Sequence, residues 1–106
     1  MYTLKSCKAD MLQLWGELAR TGECDKLEAA AAISYGFLMK IASQDAECPC
    51  CEYDAWFLGA CISCPIWKKT GDCASAEYGK WAESKTKVGR QYWANKILVL
   101  AFMIRA

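Results

Sequence analysis

The chain has 106 residues, which is enough for one domain and too few for two. Hydrophobic residues make up 55% of the sequence and five residues are Trp, so the composition excludes intrinsic disorder and predicts a packed globule. The formal net charge of +1 gives no overall attraction to nucleic acid or to a membrane surface.

Charge is distributed unevenly along the chain. Residues 1–64 carry five Lys/Arg against nine Asp/Glu, a net charge of −4, whereas residues 65–106 carry eight against three, a net charge of +5. The simpler interpretation is a pair of solvated helix faces of opposite sign. The alternative is an interaction surface at the basic end.

The first predicted element is an amphipathic helix over residues 4–20. Its apolar residues recur at steps of three and four positions: Met11, Leu14, Trp15 and Leu18. Gly22 follows as a stop signal. This stretch lacks the apolar region and cleavage site of a secretory signal, so we expect a cytoplasmic protein.

The second predicted helix covers residues 25–44. Asp25 can cap it, and Glu28 follows three residues later as in a capping box. Its apolar stripe consists of Leu27, Ala30, Ala31, Leu38 and Ile41. The first two helices together predict a helical hairpin over residues 1–45.

A cysteine-rich loop is predicted over residues 46–74, where Pro49 and Pro65 exclude one continuous helix. Six of the eight cysteines lie in it, including two C-x2-C pairs separated by nine residues. Two such turns facing each other form the four-thiolate site that zinc prefers. The candidate metal ligands are Cys48, Cys51, Cys61, Cys64 and Cys73.

Other uses of these cysteines stay open. A two-zinc cluster, an iron–sulfur cluster (suggested by Cys64-Pro65) and disulfides are the alternatives to one zinc ion, and Cys50 leaves the ligand set undecided. A thioredoxin-type redox pair is disfavoured because the expected βαβ context is absent. Cys7 and Cys24 are expected to be small buried hydrophobic residues.

The predicted zinc is structural and not catalytic. The chain has no His, and thiolates suffice to close the coordination shell. Glu52 and Asp54 are interpreted as solvated loop charges and not as general bases. In a reducing cytoplasm, clustered cysteines are more often metal ligands than disulfides.

The last predicted helix covers residues 75–104, within a C-terminal helical region of residues 75–106. Ser75 can cap it and Glu77 lies in its first turn. From residue 97 to residue 104 the helix is apolar on every side, so this run must be covered by the other helices or by a second copy in a homodimer. Its eight residues are far fewer than the ~20 that span a membrane.

The cysteine segment and the start of the last helix carry a resemblance. The matching elements are Cys48-x2-Cys51-Glu52-Tyr53, Cys61-x2-Cys64-Pro65-Ile66, Lys69-Thr70-Gly71 before Cys73, and Tyr78-x2-Trp81. This order resembles small cysteine-rich, zinc-binding accessory proteins of phages and prophages, mostly of unassigned function. The chain departs from that pattern at Cys50, at Trp67 and at Glu77, which stands where a Pro is expected. These departures leave Cys73 as an alternative to one member of the first pair.

The resemblance implies a phage-encoded protein that acts in the host cytoplasm by binding a host protein. Inhibition of a host defence complex, as anti-CRISPR proteins achieve, is one such role. Trp56 and Trp67, in the zinc loop, are the aromatic candidates for partner contacts, because aromatic residues dominate interface hot spots.

Nucleic-acid binding by a zinc-stabilised protein is the alternative function. Its candidate residues, which could equally contact a protein partner, are Lys68, Lys69, Lys80, Lys87 and Arg90. The chain contains no phosphate-binding loop, no G-x-S-x-G motif and no His base, so we expect no enzyme. The sequence thus predicts one mostly α domain over residues 1–106, with three main helices and a zinc-clamped cysteine loop before the C-terminal helix.

Overall fold

The computed structural model describes residues 2–57, 59, 63–67 and 76–106. These residues are mostly helical, as the sequence predicts, and include no strand. The α-helices among them are α1 (Leu4–Thr21), α2 (Lys26–Ile33), α3 (Tyr35–Ala42), α4 (Pro49–Ala55), α5 (Glu77–Glu83) and α6 (Lys87–Phe102), and a 3-10 turn covers Asp45–Glu47.

Helix α1 confirms the first predicted helix. It begins after Thr3, whose hydroxyl accepts the backbone N–H of Ser6 at 3.0 Å. It ends at Gly22, which has a φ of 72° and donates its N–H to the Leu18 carbonyl at 2.9 Å. The four predicted apolar residues are all buried to 1% exposure or less: Met11, Leu14, Trp15 and Leu18.

The second predicted helix is divided into α2 and α3 by Ser34. Asp25 caps α2 as predicted, since its carboxylate accepts the N–H of Leu27 at 2.8 Å. Ser34 then adopts an extended conformation, and its hydroxyl accepts the N–H of Phe37 at 3.0 Å. Serine hydroxyls compete for backbone groups in this way, and the new cap starts a second helix.

The last predicted helix is likewise divided, into α5 and α6. Ser84 has an extended backbone with a ψ of 131°, and the Thr86 hydroxyl caps α6 by accepting the N–H of Gly89 at 3.0 Å. Helix α5 begins at Glu77 with no side-chain cap, and the predicted cap Ser75 lies outside the described residues. The continuous helix predicted over residues 75–104 is therefore wrong at residues 84–86.

The cysteine segment contains a helix that the sequence did not indicate. Helix α4 follows Cys48, which is its N-cap, and Pro49 occupies the first helical position. Proline is well suited to that position because its fixed φ is helical and its missing N–H has no partner there. Cys50 and Cys51 therefore lie in the first turn of a helix and not in a loop.

Helix α1 is the centre of the fold and packs most extensively against α6, with α4 and α2 on its other sides. The two long helices are antiparallel. Near the end of α1, Arg90 donates to the Gly22 carbonyl at 2.7 Å, and near its start Lys8 donates to the Ile104 carbonyl at 2.7 Å. Trp15 of α1 packs against α5 through an edge-to-face contact with Trp81, with 5.0 Å between the ring centroids.

Candidate functional site

A cluster of buried thiols joins α1, α4 and the turn at residues 63–67. We define the thiol cluster as Cys7, Cys48, Cys50 and Cys64, whose exposed fractions are between 0% and 6%. Cys7 comes from the first turn of α1, Cys48 and Cys50 come from the start of α4, and Cys64 precedes Pro65. The fold therefore gathers thiols from three separate segments of the chain.

Cys50 is the central member of this cluster. Its sulfur lies 4.0 Å from that of Cys7, and it also forms hydrogen bonds with the sulfurs of Cys48 and Cys64. The thiol hydrogen bond with Cys50 is the largest cause that lowers the pKa of Cys48 well below its usual value, and it lowers the pKa of Cys64 to about 7. The pKa of Cys50 itself is raised, first by its hydrogen bond with Cys48.

Backbone N–H groups also point at two of the sulfurs. Cys64 accepts the N–H of Trp67 at 3.5 Å and a backbone hydrogen bond from Ile66, and Cys48 accepts one from Cys51. Hydrogen bonds of this kind stabilise sulfur in its thiolate form. Cys48 and Cys64 are thus the two thiols of the cluster whose surroundings favour the thiolate form.

Two carboxylates fix the backbone around the cluster. Asp54 is buried and accepts the N–H of Ser63 at 2.6 Å, and Glu52 accepts the N–H of Asp45 at 2.8 Å. The sequence interpretation of Asp54 as a solvated loop charge is therefore wrong. Its carboxylate ties the end of α4 to the segment that carries Cys64, because a buried carboxylate is stable only when it accepts hydrogen bonds.

A buried lysine holds the backbone of the segment that precedes Cys48. Lys26 donates to the carbonyl of Ala46 at 3.0 Å, and its ammonium lies 4.8 Å from the centroid of the Tyr78 ring. Ala46 and Glu47 have φ angles of 54° and 50°, which are left-handed values unusual for residues other than glycine. The Lys26 charge also contributes to the lowered pKa of Cys48.

Only some of the predicted metal ligands are among the residues that the structure describes. Cys48, Cys51 and Cys64 belong to the described residues, whereas Cys61 and Cys73 lie outside them. Among residues 2–57, 59, 63–67 and 76–106, no three Cys, Asp or Glu side chains are arranged to hold a metal ion. The sequence leaves the role of Cys50 open and predicts Cys7 to be a buried hydrophobic residue, and nothing in the spacing of Cys7, 43 residues from Cys50, indicates that the two meet.

Helix α6 has two apolar faces on opposite sides. The inner face packs on α1 and consists of Ala94, Ile97, Ala101 and, just after the helix, Ile104. The open face consists of Val88, Tyr92, Asn95, Val99 and Phe102. Its four apolar side chains are between 52% and 75% exposed. The run at residues 97–104 is therefore covered on one side only.

The predicted partner-binding residues have different positions. Trp56 is 55% exposed, whereas Trp67 is 3% exposed and packs near Tyr78, so Trp67 belongs to the core. Lys80 and Lys87 are exposed, and Arg90 is half-buried because it holds Gly22. Lys68 and Lys69 lie outside the described residues. The basic residues predicted on one helix are divided between α5 and α6, with one of them engaged in the fold.

An apolar groove adjoins the end of α6. Its volume is about 710 Å³, and Leu4, Tyr53, Ile66, Leu100 and Met103 are among its lining residues. Met103 is 69% exposed and follows Phe102 directly, so the groove continues from the C-terminal end of the open face. Five of the nine exposed large hydrophobic side chains among the described residues therefore lie on α6 or directly after it.

Comparisons with protein-family models, with curated proteins and with solved structures find no match to this chain. None of the described helices combines the length and the hydropathy needed to cross a lipid bilayer.

Proposed function

We propose that this chain is a non-enzymatic accessory protein of phage type that binds and blocks a host protein in the host cytoplasm. The observation that carries the proposal is the open face of α6, where four large apolar side chains are each more than half exposed. Soluble proteins seldom expose a contiguous apolar surface unless it is covered by a partner. Inhibition of a host defence complex, in the manner of an anti-CRISPR protein, is the role that fits such a binder.

The phage context rests on the resemblance of the cysteine and Tyr-x2-Trp motifs to those of small cysteine-rich accessory proteins of phages and prophages. The alternative function, nucleic-acid binding, is less well supported, because Arg90 is engaged with the Gly22 carbonyl and the other described candidates, Lys80 and Lys87, lie on two different helices. Trp56 is a second exposed aromatic residue available for partner contact.

One structural zinc ion completes the proposal. The support is chemical: Cys48 and Cys64 are buried and accept backbone N–H groups, as metal-bound thiolates do. Cys48, Cys51, Cys61 and Cys64 would hold the ion, with Cys73 as the alternative ligand. A closed thiolate site supplies folding free energy on the order of 10 kcal/mol in small domains, without any catalytic step.

Capture of a host protein tests the binding function. The tagged chain is incubated with lysate of a bacterial host and the complex is analysed by size-exclusion chromatography and mass spectrometry. We expect one protein, or one complex, in fixed stoichiometry with the chain. The absence of any stoichiometric partner in hosts of several kinds would contradict the proposed function.

The zinc is tested separately by metal analysis of chain purified without added metal, with counts of reactive thiols before and after chelation. We expect one zinc ion per chain and four newly reactive thiols on its removal. Cys48→Ser should lose the metal, whereas the exposed Cys24→Ser should retain it. Purified chain with no metal and oxidised cysteines would overturn both the zinc and the cytoplasmic location.

A further inference from the structure

We propose that the open face of α6 binds an acidic amphipathic helix of the partner protein. This inference rests on the proposed function and adds to it the surface used and the kind of surface recognised. Three features of the open face carry it: the spacing of its residues, the position of its one polar residue and the charge around it.

The spacing on the open face is that of a coiled-coil seam. Val88, Tyr92, Asn95, Val99 and Phe102 are separated by four, three, four and three positions. At about 100° per residue these five positions occupy an arc of about 80° on the helix surface. A narrow stripe of this kind accepts one helix lying along it, because side chains of a facing helix fit between its own.

The inner face shows that α6 already uses this mode of packing once. Ala94, Ile97, Ala101 and Ile104 are separated by three, four and three positions and are buried. The open face repeats that spacing on the opposite side of the same helix. Helix α6, which already packs against α1 and α5, thus presents one further face suited to a helix.

Asn95 lies at the middle of the open face and is exposed. A single polar residue in an apolar seam fixes register and orientation at a cost in stability. The Asn95 Nδ2 already donates to the Gln91 carbonyl at 3.0 Å, so it is the amide oxygen of Asn95 that needs a hydrogen-bond donor when the face becomes buried. The partner helix is therefore expected to present a polar side chain at the same level. This favours one specific partner over general apolar association.

The charge around the open face is basic. Helix α6 contains Lys87, Arg90 and Lys96 but no Asp or Glu. Lys96 lies beside the stripe, with its ammonium 5.2 Å from the centroid of the Tyr92 ring, and Lys87 is exposed on the other flank. Glutamate or aspartate on the flanks of the partner helix would complement both cations.

A second copy of the chain is a poorer occupant of this face. Pairing two α6 helices, in either direction, would bring together flanks whose charged residues are all cations, and Lys96 lies next to the central Asn95 in each copy. Like charges at the flanking positions of a helix pair oppose association. An acidic partner removes this conflict and keeps the same apolar contacts.

Two synthetic peptides test the inference directly. Both are amphipathic helices of about three heptads with leucine at the seam positions, except for one asparagine at the seam position that faces Asn95. One carries Glu at the flanking positions and the other carries Lys. We expect the acidic peptide to bind at least about tenfold more tightly than the basic one in calorimetric titration, with the difference decreasing as salt is added.

Variants of the chain locate the binding. The double variant Val99→Asp/Phe102→Asp should lose the acidic peptide, and Lys96→Glu should lose its preference for the acidic peptide. Tyr35→Asp is the matched control, because Tyr35 is 74% exposed on α3, away from α6, and should bind as the wild type does. All four positions are exposed, so far-ultraviolet circular dichroism should remain unchanged.

Equal binding of the two peptides, or binding of neither, would overturn the inference. So would a wild-type dimer in sedimentation equilibrium that Val99→Asp/Phe102→Asp converts to monomer, since a second copy would then occupy the face. The host-capture experiment separates this failure from failure of the proposed function. If the double variant still captures the host partner, the proposed function holds and the assignment of the open face as the binding surface is wrong. If the wild type captures no partner, the proposed function itself is wrong.

Discussion

The sulfur of Cys7 on α1 lies 4.0 Å from the sulfur of Cys50 on α4, although 43 residues separate them in sequence. Both thiols are fully buried, and Cys50 also contacts Cys48 and Cys64. The thiol cluster is therefore attached to the central helix of the fold. This relationship connects the stability of the helical core to the state of the cysteine segment.

Replacing the central thiol should destabilise the fold. We expect Cys50→Ala to lower the free energy of unfolding by about 1–3 kcal/mol, because the change leaves a cavity and removes the contacts of the Cys50 thiol with neighbouring buried sulfurs. Urea unfolding under reducing conditions measures the loss. Cys24→Ala is the control: Cys24 is exposed and its loss should change stability by less than about 0.5 kcal/mol. Similar losses in both variants would show that the contacts of Cys50 contribute little.

Removing the buried ammonium of Lys26 should also destabilise the protein. Lys26→Met leaves the Ala46 carbonyl without its donor and removes the positive charge over the Tyr78 ring. We expect a loss of about 1–3 kcal/mol in the free energy of unfolding, measured by thermal and urea denaturation. Lys85→Met, at an exposed position, is the control and should be nearly neutral. A Lys26→Met variant as stable as the wild type would rule out a supporting role for this hydrogen bond.

Alanine should have opposite effects at two glycines of the first helical region. Gly22 has a φ of 72°, and a Cβ there would lie 2.4 Å from Cγ of Lys87 and 3.0 Å from the Lys87 carbonyl oxygen. We expect Gly22→Ala to cost more than about 1 kcal/mol, through backbone strain and displacement of α6. Gly16 lies within α1 with open space around it, so Gly16→Ala should stabilise the helix by up to about 1 kcal/mol. Differential scanning calorimetry of the two variants measures the sign of each change in stability. A stabilising Gly22→Ala would contradict the observed packing of α6 on the end of α1.

The Tyr2 phenol should make stability depend on alkaline pH. Tyr2 donates to the buried carboxylate of Asp10, which also pairs with Lys40 at 3.2 Å. Burial, together with this hydrogen bond, raises the pKa of the Tyr2 phenol above its usual value near 10. As pH rises above about 10, the unfolded chain loses the Tyr2 proton before the folded chain does. The stability contributed by the protonated phenol is therefore fully present below pH 10 and decreases above it.

Comparison of wild type with Tyr2→Phe isolates this effect. At neutral pH we expect the variant to be less stable by about 1–2 kcal/mol, because a hydrogen bond to a charged acceptor is lost. The difference should shrink in urea titrations between pH 10 and pH 11. Tyr35→Phe, at an exposed tyrosine, should show no such trend. A difference between wild type and Tyr2→Phe that stays constant through this pH range would indicate that the phenol titrates normally in the folded chain.

The sequence by itself determined the extent of α1 and the start of α2. The 3–4 spacing of Met11, Leu14 and Leu18 predicts α1 to within one residue at its end, and Asp25 and Gly22 mark a helix start and a helix stop. Local signals suffice for these features, because capping and amphipathic spacing depend on residues only a few positions apart. The same reasoning missed the breaks at Ser34 and Ser84, since a serine is compatible with both a helix interior and a new cap.

Only the tertiary structure decided which groups meet and which faces remain open. The contact of Cys7 with Cys50 depends on how α4 docks against α1, and no local pattern in the chain encodes that docking. The choice of Ala94, Ile97 and Ala101 as the buried face of α6 is similar, because the segment is apolar on both sides and either face could have packed inward. Long-range packing resolves such choices by burying the side with small residues against α1, which lets the two helices approach closely, and it leaves Tyr92, Val99 and Phe102 on the surface.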